Sequence, residues 1–243
     1  MQKPIIGIVA PRVEVQDRPF QSYTRFINNY PNMIVQAGGL PIGLLFYDGK
    51  FNLDEAELCD GFVIQGGSDI ESTGLNIINY AIKTDKPVLG ICLGMQTMAG
   101  YEWIVNKLGE NPAYKEIDDF YKHEYEDDIL CYHESHDRVD PFYMTRLQNT
   151  KHDVLLDKES VLYKIFNNDV ISMPSLHKQA VIDDIISNGK YFKVTGKSRD
   201  GVIEVLESND PNLWLLGVQF HPELEEKNLG IFKFLIKRAG KRK

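Results

Sequence analysis

A chain of 243 residues, 43% hydrophobic and 26% charged, is long enough to bury roughly three quarters of its unfolded surface without disulfide staples. Its net charge of −8 argues against a nucleic-acid surface and against anchoring on anionic lipid, though not against a locally positive pocket. Three cysteines make no disulfide framework, no apolar run approaches the roughly 18–20 residues that cross a bilayer, and the opening MQKPIIGIVAP has no secretory h-region.

The expectation is a reduced, cytoplasmic, single domain over residues 1–243, with no nucleic-acid or membrane partner. In chain order, Pro4–Ala10 reads as a strand, Thr24–Ala37 as a helix ended by Gly38-Gly39, and Pro41–Phe46 as a second strand. Gly61–Gln65 is a third strand running into Gly66-Gly67, followed by a short helix over Gly74–Lys83. Pro87–Ile91 is a fourth strand and Gly94–Asn106 a helix. Nearly continuous apolar strands separated by helices indicate a parallel sheet covered on both faces, whose ligands sit at the carboxyl ends of the strands.

The second half changes character. Glu110 to Asp140 is rich in Asp, Glu, Tyr and His and reads as a long surface excursion. Short strand-like pieces follow at Val170–Met173, Tyr191–Gly196, Gly201–Glu207 and Leu213–Gln219, with hairpin turn chemistry at Ser198–Gly201. Asn228–Arg238 is a final amphipathic helix. The fold class is therefore α/β: a three-layer, flavodoxin-like arrangement with a mostly parallel central sheet, helices on both faces and a smaller antiparallel element in the C-terminal half.

Cys92 lies where strand Pro87–Ile91 hands over to the next helix, in GICLGMQ. A Cys between apolar residues is usually inert packing. Here Gly90 and Gly94 flank it, allowing a sharp turn with a helix packed close behind, the logic of a nucleophile elbow. A helix N-terminus also favours thiolate. A thiol nucleophile needs a base and the base a carboxylate, and His221-Pro222-Glu223 supplies both after the strand Leu213–Gln219. Gln65-Gly66-Gly67-Ser68 ends the third strand and offers exposed N–H groups, with Leu93 N–H as a second donor.

GICLGMQ, FVIQGGSDI, SLHKQ and LGVQFHPE, in the spacing found here, resemble the class I glutamine amidotransferase superfamily. Within it, PIIGI, AGGLPI, SLHKQ and DGVIEVLE look most like the gamma-glutamyl-gamma-aminobutyrate hydrolase family. The resemblance implies a cysteine-dependent hydrolase that cleaves a gamma-glutamyl amide through a thioester. Cys92 would be the nucleophile, His221 the base and then acid, and Glu223 its orienter. Gly66, Gly67 and Leu93 would form the oxyanion and substrate wall, while Gln96, Ser175, Leu176 and His177 would hold the glutamyl head group. No cofactor and no metal are implied. The partner is a small-molecule gamma-glutamyl substrate, with a homodimer or a separate synthase, to which the chain would supply ammonia, as further partners.

Two departures bear on the leaving amine. The hydrolase family usually has a longer charged loop after its Gly-Gly turn and Arg directly after the nucleophile, whereas this chain reaches the Gly74 helix almost at once and carries Leu93. Elsewhere, His123, Glu124, Cys131, His133, Glu134, His136 and Asp137 crowd one stretch, but their spacing fits no familiar zinc pattern. A solvated or pocket-covering loop is the expectation there. Cys59 and Cys131 are expected to be inert, and the basic C-terminus to fray in solvent.

Overall fold

The computed structural model describes residues 2–14, 22–46, 50–133, 136 and 146–241. The first half alternates strand and helix: β1 (Ile5–Val9), β2 (Arg12–Glu14), β3 (Ser22–Thr24), α1 (Asn29–Gln36), β4 (Leu40–Leu44), α2 (Leu53–Glu57), β5 (Gly61–Ile64), α3 (Ser72–Thr84), β6 (Val88–Ile91) and α4 (Leu93–Leu108). The second half adds β7 (Leu130–Tyr132), β8 (Lys151–Leu156), β9 (Val170–Pro174), β10 (Gln179–Val181), β11 (Phe192–Ser198), β12 (Ile203–Ser208) and β13 (Leu215–Val218). A helix over Leu229–Gly240 follows.

Nine strands form one sheet in the order β4-β1-β5-β6-β13-β12-β11-β8-β9. The pairs from β4 to β13 are parallel, and those from β13 to β9 are antiparallel. The antiparallel element anticipated from the sequence thus extends the parallel sheet. Two further pairs, β2 with β3 and β10 with β7, stand outside it.

Alternation along the strands explains the layers, because successive side chains point to opposite faces. Phe62 and Ile64 of β5, Val88 of β6 and Leu215 of β13 join the core under α3 and α4. Val63, Leu89, Ile91, Leu216 and Val218 join a second core with Tyr30, Met33 and Ile34 of α1 and Phe232 and Leu235 of the C-terminal helix. Every residue of α4 from Leu93 to Val105 is buried, as expected of a helix enclosed on all sides.

Three expectations need correction. Lys237 and Arg238, expected in a frayed C-terminus, lie inside the helix Leu229–Gly240, and Arg238 donates to Asn212 O at 2.8 Å. The helix expected from Thr24 starts at Asn29, and Thr24 belongs to β3. Pro31 is tolerated only in the first turn of a helix, which fixes the start close before it. The acidic stretch is also more than a surface excursion. Helices at Tyr114–Phe120 and Glu126–Ile129 bury Ile117 and Ile129, and Trp103 of α4 packs on Phe120 and Tyr125. Glu134 and Asp137 lie outside the described residues.

The change of strand direction at β13 decides what shares an edge. The carboxyl ends of β5, β6 and β13 meet at one side of the sheet. On the antiparallel strands that side receives the start of β8, the end of β9, the end of β11 and the start of β12. His152, the Ser175–Gln179 segment, Asp200 and Glu204 are therefore delivered to the same edge of the sheet as Cys92 and His221.

Candidate active site

Cys92 occupies the single residue between β6 and α4, at φ 53° and ψ −105°. Side chains rarely adopt this backbone region. The surroundings impose it: Cys92 N–H donates to Val218 O at 2.7 Å, and its own carbonyl accepts from Met95 and Gln96 N–H. Close packing needs the flanking glycines. A Cβ at Gly90 would lie 2.5 Å from Gly94 O, and one at Gly94 would lie 2.4 Å from Ile64 O. The result is a buried thiol at the N-terminus of a 16-residue helix.

His221 and Cys92 meet across Gly66, where an added Cβ would lie 3.0 Å from His221 Cε1 and 3.5 Å from Cys92 Cβ. His221 Nδ1–H donates to Glu223 Oε1 at 2.7 Å, leaving Nε2 as the reactive nitrogen. Burial works against the charged ring, but the Glu223 carboxylate and Cys92 outweigh it and raise the His221 pKa well above its ordinary value. Gln219 Nε2 reaches Cys92 Sγ at 3.6 Å. Gln96 Nε2 donates to Gln219 Oε1 at 3.3 Å and to Gln179 O at 3.1 Å.

The glycine pair divides its work. Gly66 N–H donates to the Tyr30 hydroxyl at 2.9 Å, so it is already engaged. Gly67 N–H and Leu93 N–H have no hydrogen-bond partner among the described residues, and Gly67 packs directly on the Leu93 side chain. Ser175 is buried with its hydroxyl unpartnered. Leu176 is half-buried. His177 is buried and both ring nitrogens face protein groups, Nδ1 at 3.0 Å from Gln179 O and Nε2 at 3.1 Å from His136 Nδ1. The other cysteines differ from Cys92: burial pushes the Cys59 thiol up to about 12, and Cys131 is exposed.

Sequence reasoning missed Tyr30. It is fully buried, bonded to Gly66, and stands by Glu223; burial first and that carboxylate second raise its phenol pKa well above the ordinary value. Gln219, inside LGVQFHPE, was visible only as a strand end. Of the histidine-rich stretch, His123 pairs with Glu126, whereas His133 and His136 come to Asp200.

Residues 71–223 match the Peptidase C26 family. A glutamine amidotransferase-like protein of Rickettsia prowazekii is 27% identical, the match covering 98% of this chain and 98% of that one. Protein NtpR of Enterococcus hirae is also 27% identical, over 96% of this chain and 98% of its own length. The glutaminase domain of Trypanosoma brucei CTPS with bound acivicin has the same fold, with a TM-score of 0.63 at 18% identity over 98% of this chain and 94% of that one. No helix among the described residues is long and apolar enough to cross a membrane. The chain belongs to the Peptidase C26 family, within the class I glutamine amidotransferase-like superfamily.

Proposed function

We propose that this chain hydrolyses the gamma-glutamyl amide bond of a glutamine-like or gamma-glutamyl-amine substrate, with Cys92 as nucleophile. The observation that carries it is a thiol held at positive φ on a helix N-terminus, beside a histidine bonded to Glu223 at 2.7 Å. In this reading the Cys92 thiolate attacks the amide carbon, and the oxyanion accepts from the N–H groups of Gly67 and Leu93. His221 Nε2 gives its proton to the departing nitrogen as the C–N bond breaks, leaving a thioester. Water then loses a proton to His221 and attacks; the C–S bond breaks and a free carboxylate leaves. Glu223 orients the ring, and Tyr30 holds Gly66 so that Gly67 presents its N–H.

Gln96 and Ser175 to His177 form the wall for the glutamyl head group. Ser175 offers an unpartnered hydroxyl, while His177, bonded through both nitrogens, acts by fixing the main chain of that segment. Leu93 in place of a cation after the nucleophile leaves no charge there to pair with an acidic leaving amine.

The likeness to a CTPS glutaminase domain favours a second reading, a glutaminase that supplies ammonia to a separate synthase. Glutamate release by the purified protein and by Cys92→Ala, from glutamine and a panel of gamma-glutamyl amines, separates them. Fast Cys92-dependent turnover of a gamma-glutamyl amine, with glutamine poor, establishes the standalone hydrolase. Slow release from glutamine alone supports the partner-coupled glutaminase. Equal release by Cys92→Ala refutes both.

A further inference from the structure

A second group of reactive side chains gathers around β12, two strands from β6 and Cys92, and none of its ring nitrogens or carboxylate oxygens takes a chemical step in the reaction above. Glu204 is the second residue of β12; its carbonyl accepts from Gln219 N–H and it is fully buried. Its Oε1 lies 3.1 Å from His152 Nε2, 3.5 Å from His177 Nε2 and 3.7 Å from His136 Nδ1. His136 Nδ1 and His177 Nε2 are 3.1 Å apart.

The hydrogen bonds around this group fix which nitrogens carry protons. A carboxylate only accepts, so the His136 Nε2–H must donate to Asp200, at 3.1 and 3.2 Å. A carbonyl only accepts, so the His177 Nδ1–H donates to Gln179 O at 3.0 Å. With one proton on each ring, the inward nitrogens of His136 and His177 are lone pairs aimed at each other. His152 Nε2 and Glu204 Oε1, 3.1 Å apart, are not aligned as donor and acceptor, and both oxygens of Glu204 are buried without a hydrogen bond. Such a set of buried electron pairs is stable only around something positive.

We propose that His136 Nδ1, His152 Nε2, His177 Nε2 and Glu204 Oε1 form a closed tetrahedral zinc site. Zinc bonds of about 2.0–2.2 Å to nitrogen and oxygen place tetrahedral ligands about 3.3 Å apart. Four of the six ligand separations, 3.1, 3.1, 3.5 and 3.7 Å, scatter around that edge. His136, His152 and Glu204 offer donor atoms within 4.8 Å of one another, and the His152 and His177 rings, 6.3 Å apart between centroids, must close by a small rotation around the ion. Three imidazoles and one carboxylate suit zinc better than calcium or magnesium, which prefer oxygen. Outer partners are in place as well: Asp200 behind His136 and the Gln179 carbonyl behind His177 hold the two rings in the metal-binding tautomer.

Spacing hid this site. Its ligands come from the start of β8, the segment after β9, the start of β12 and residue 136, so no short zinc motif exists. Four protein ligands leave no open position, so the ion is structural. It fastens the Ser175–Gln179 segment to the sheet, and Gln179 O, shared by His177 and Gln96, carries that anchoring to α4 and Cys92.

The test is metal content and cobalt spectroscopy of the full-length protein. Expected is about one zinc per chain after dialysis, strong tetrahedral visible absorption on cobalt replacement, and a lower melting temperature on chelation. His152→Ala and Glu204→Gln should each bind cobalt at least tenfold more weakly, with circular dichroism checking their fold. Should either variant fail to fold, the wild-type cobalt titration decides alone. Wild-type protein that is folded and holds no zinc, or whose cobalt complex lacks tetrahedral bands, overturns the site and assigns the central charge to a proton. Repeating these readouts in Cys92→Ala, which removes the thiol able to hold a metal with His221, makes them stand or fall apart from the proposed hydrolase activity.

Discussion

Gly67→Ala isolates the oxyanion donor from the nucleophile. Gly67 is not among the residues at positive φ, so alanine meets no backbone strain and acts through contact alone. Its Cβ would sit 2.7 Å from Leu93 Cδ2, 2.9 Å from Pro11 Cγ and 3.3 Å from Pro11 Cβ. The leucine methyl can rotate away; the proline ring cannot. Ordinary carbon contacts begin near 3.5 Å, so the main chain at residue 67 should retreat by about 0.5 Å. Loss of a whole donor costs about 2.7–4 kcal/mol of barrier. A displaced donor should cost about 2 kcal/mol, or some 30-fold in kcat/KM. The assay is glutamate release, paired with the rate at which iodoacetamide alkylates Cys92. Alkylation builds no oxyanion, so its rate should stay within about twofold while kcat/KM falls. An unchanged kcat/KM refutes the assignment of Gly67, and parallel loss of alkylation shows that the thiol itself was disturbed.

Other perturbations test the frame around the site. Glu223→Gln removes the carboxylate that raises His221. If the reacting form carries a protonated His221, activity is lost as pH rises through that raised pKa, and the variant should lose it at lower pH. An alkaline limb that stays in place argues against this pairing. Gly94→Ala forces a Cβ to 2.4 Å from Ile64 O, where no flexible atom can yield; it should destabilise by about 3 kcal/mol in urea unfolding, and a midpoint near wild type would contradict the close helix–sheet approach. Glu102 is fully buried in α4 and accepts from the N–H groups of Lys190, Tyr191 and Phe192 at 2.6, 2.8 and 3.1 Å. Glu102→Ala strands these donors and should cost about 3 kcal/mol, with Cys92 alkylation preserved at temperatures where the variant is folded.

Strands β1, β5, β6 and β13 were legible because they are buried on both faces and therefore read as unbroken apolar runs. The elbow was legible because Gly90, Cys92 and Gly94 act within five residues. Partners far apart in the chain were not. Tyr30 and Gly66 are joined only through the crossing of α1 over the sheet edge, and nothing near Tyr30 in sequence marks it. The helix at Tyr114–Phe120 escaped notice because it buries a single aliphatic residue, Ile117, among charges that face solvent. β8 was hidden for a related reason: Lys151, His152 and Asp153 begin it with polar residues, and their places at the edge come from pairing with β9 and β11.

The backbone of Cys92 has one more consequence. A side chain held at φ 53° and ψ −105° raises the energy of the folded state by an amount on the order of 1–3 kcal/mol. Glycine would relax that strain more fully than alanine, offset in part by its greater freedom when unfolded, about 0.5–1 kcal/mol relative to alanine. Cys92→Gly should therefore melt at or above the temperature of Cys92→Ala. Selection for thermal stability alone would drift toward discarding the thiol, so an engineering screen on this scaffold must score reactivity and melting together.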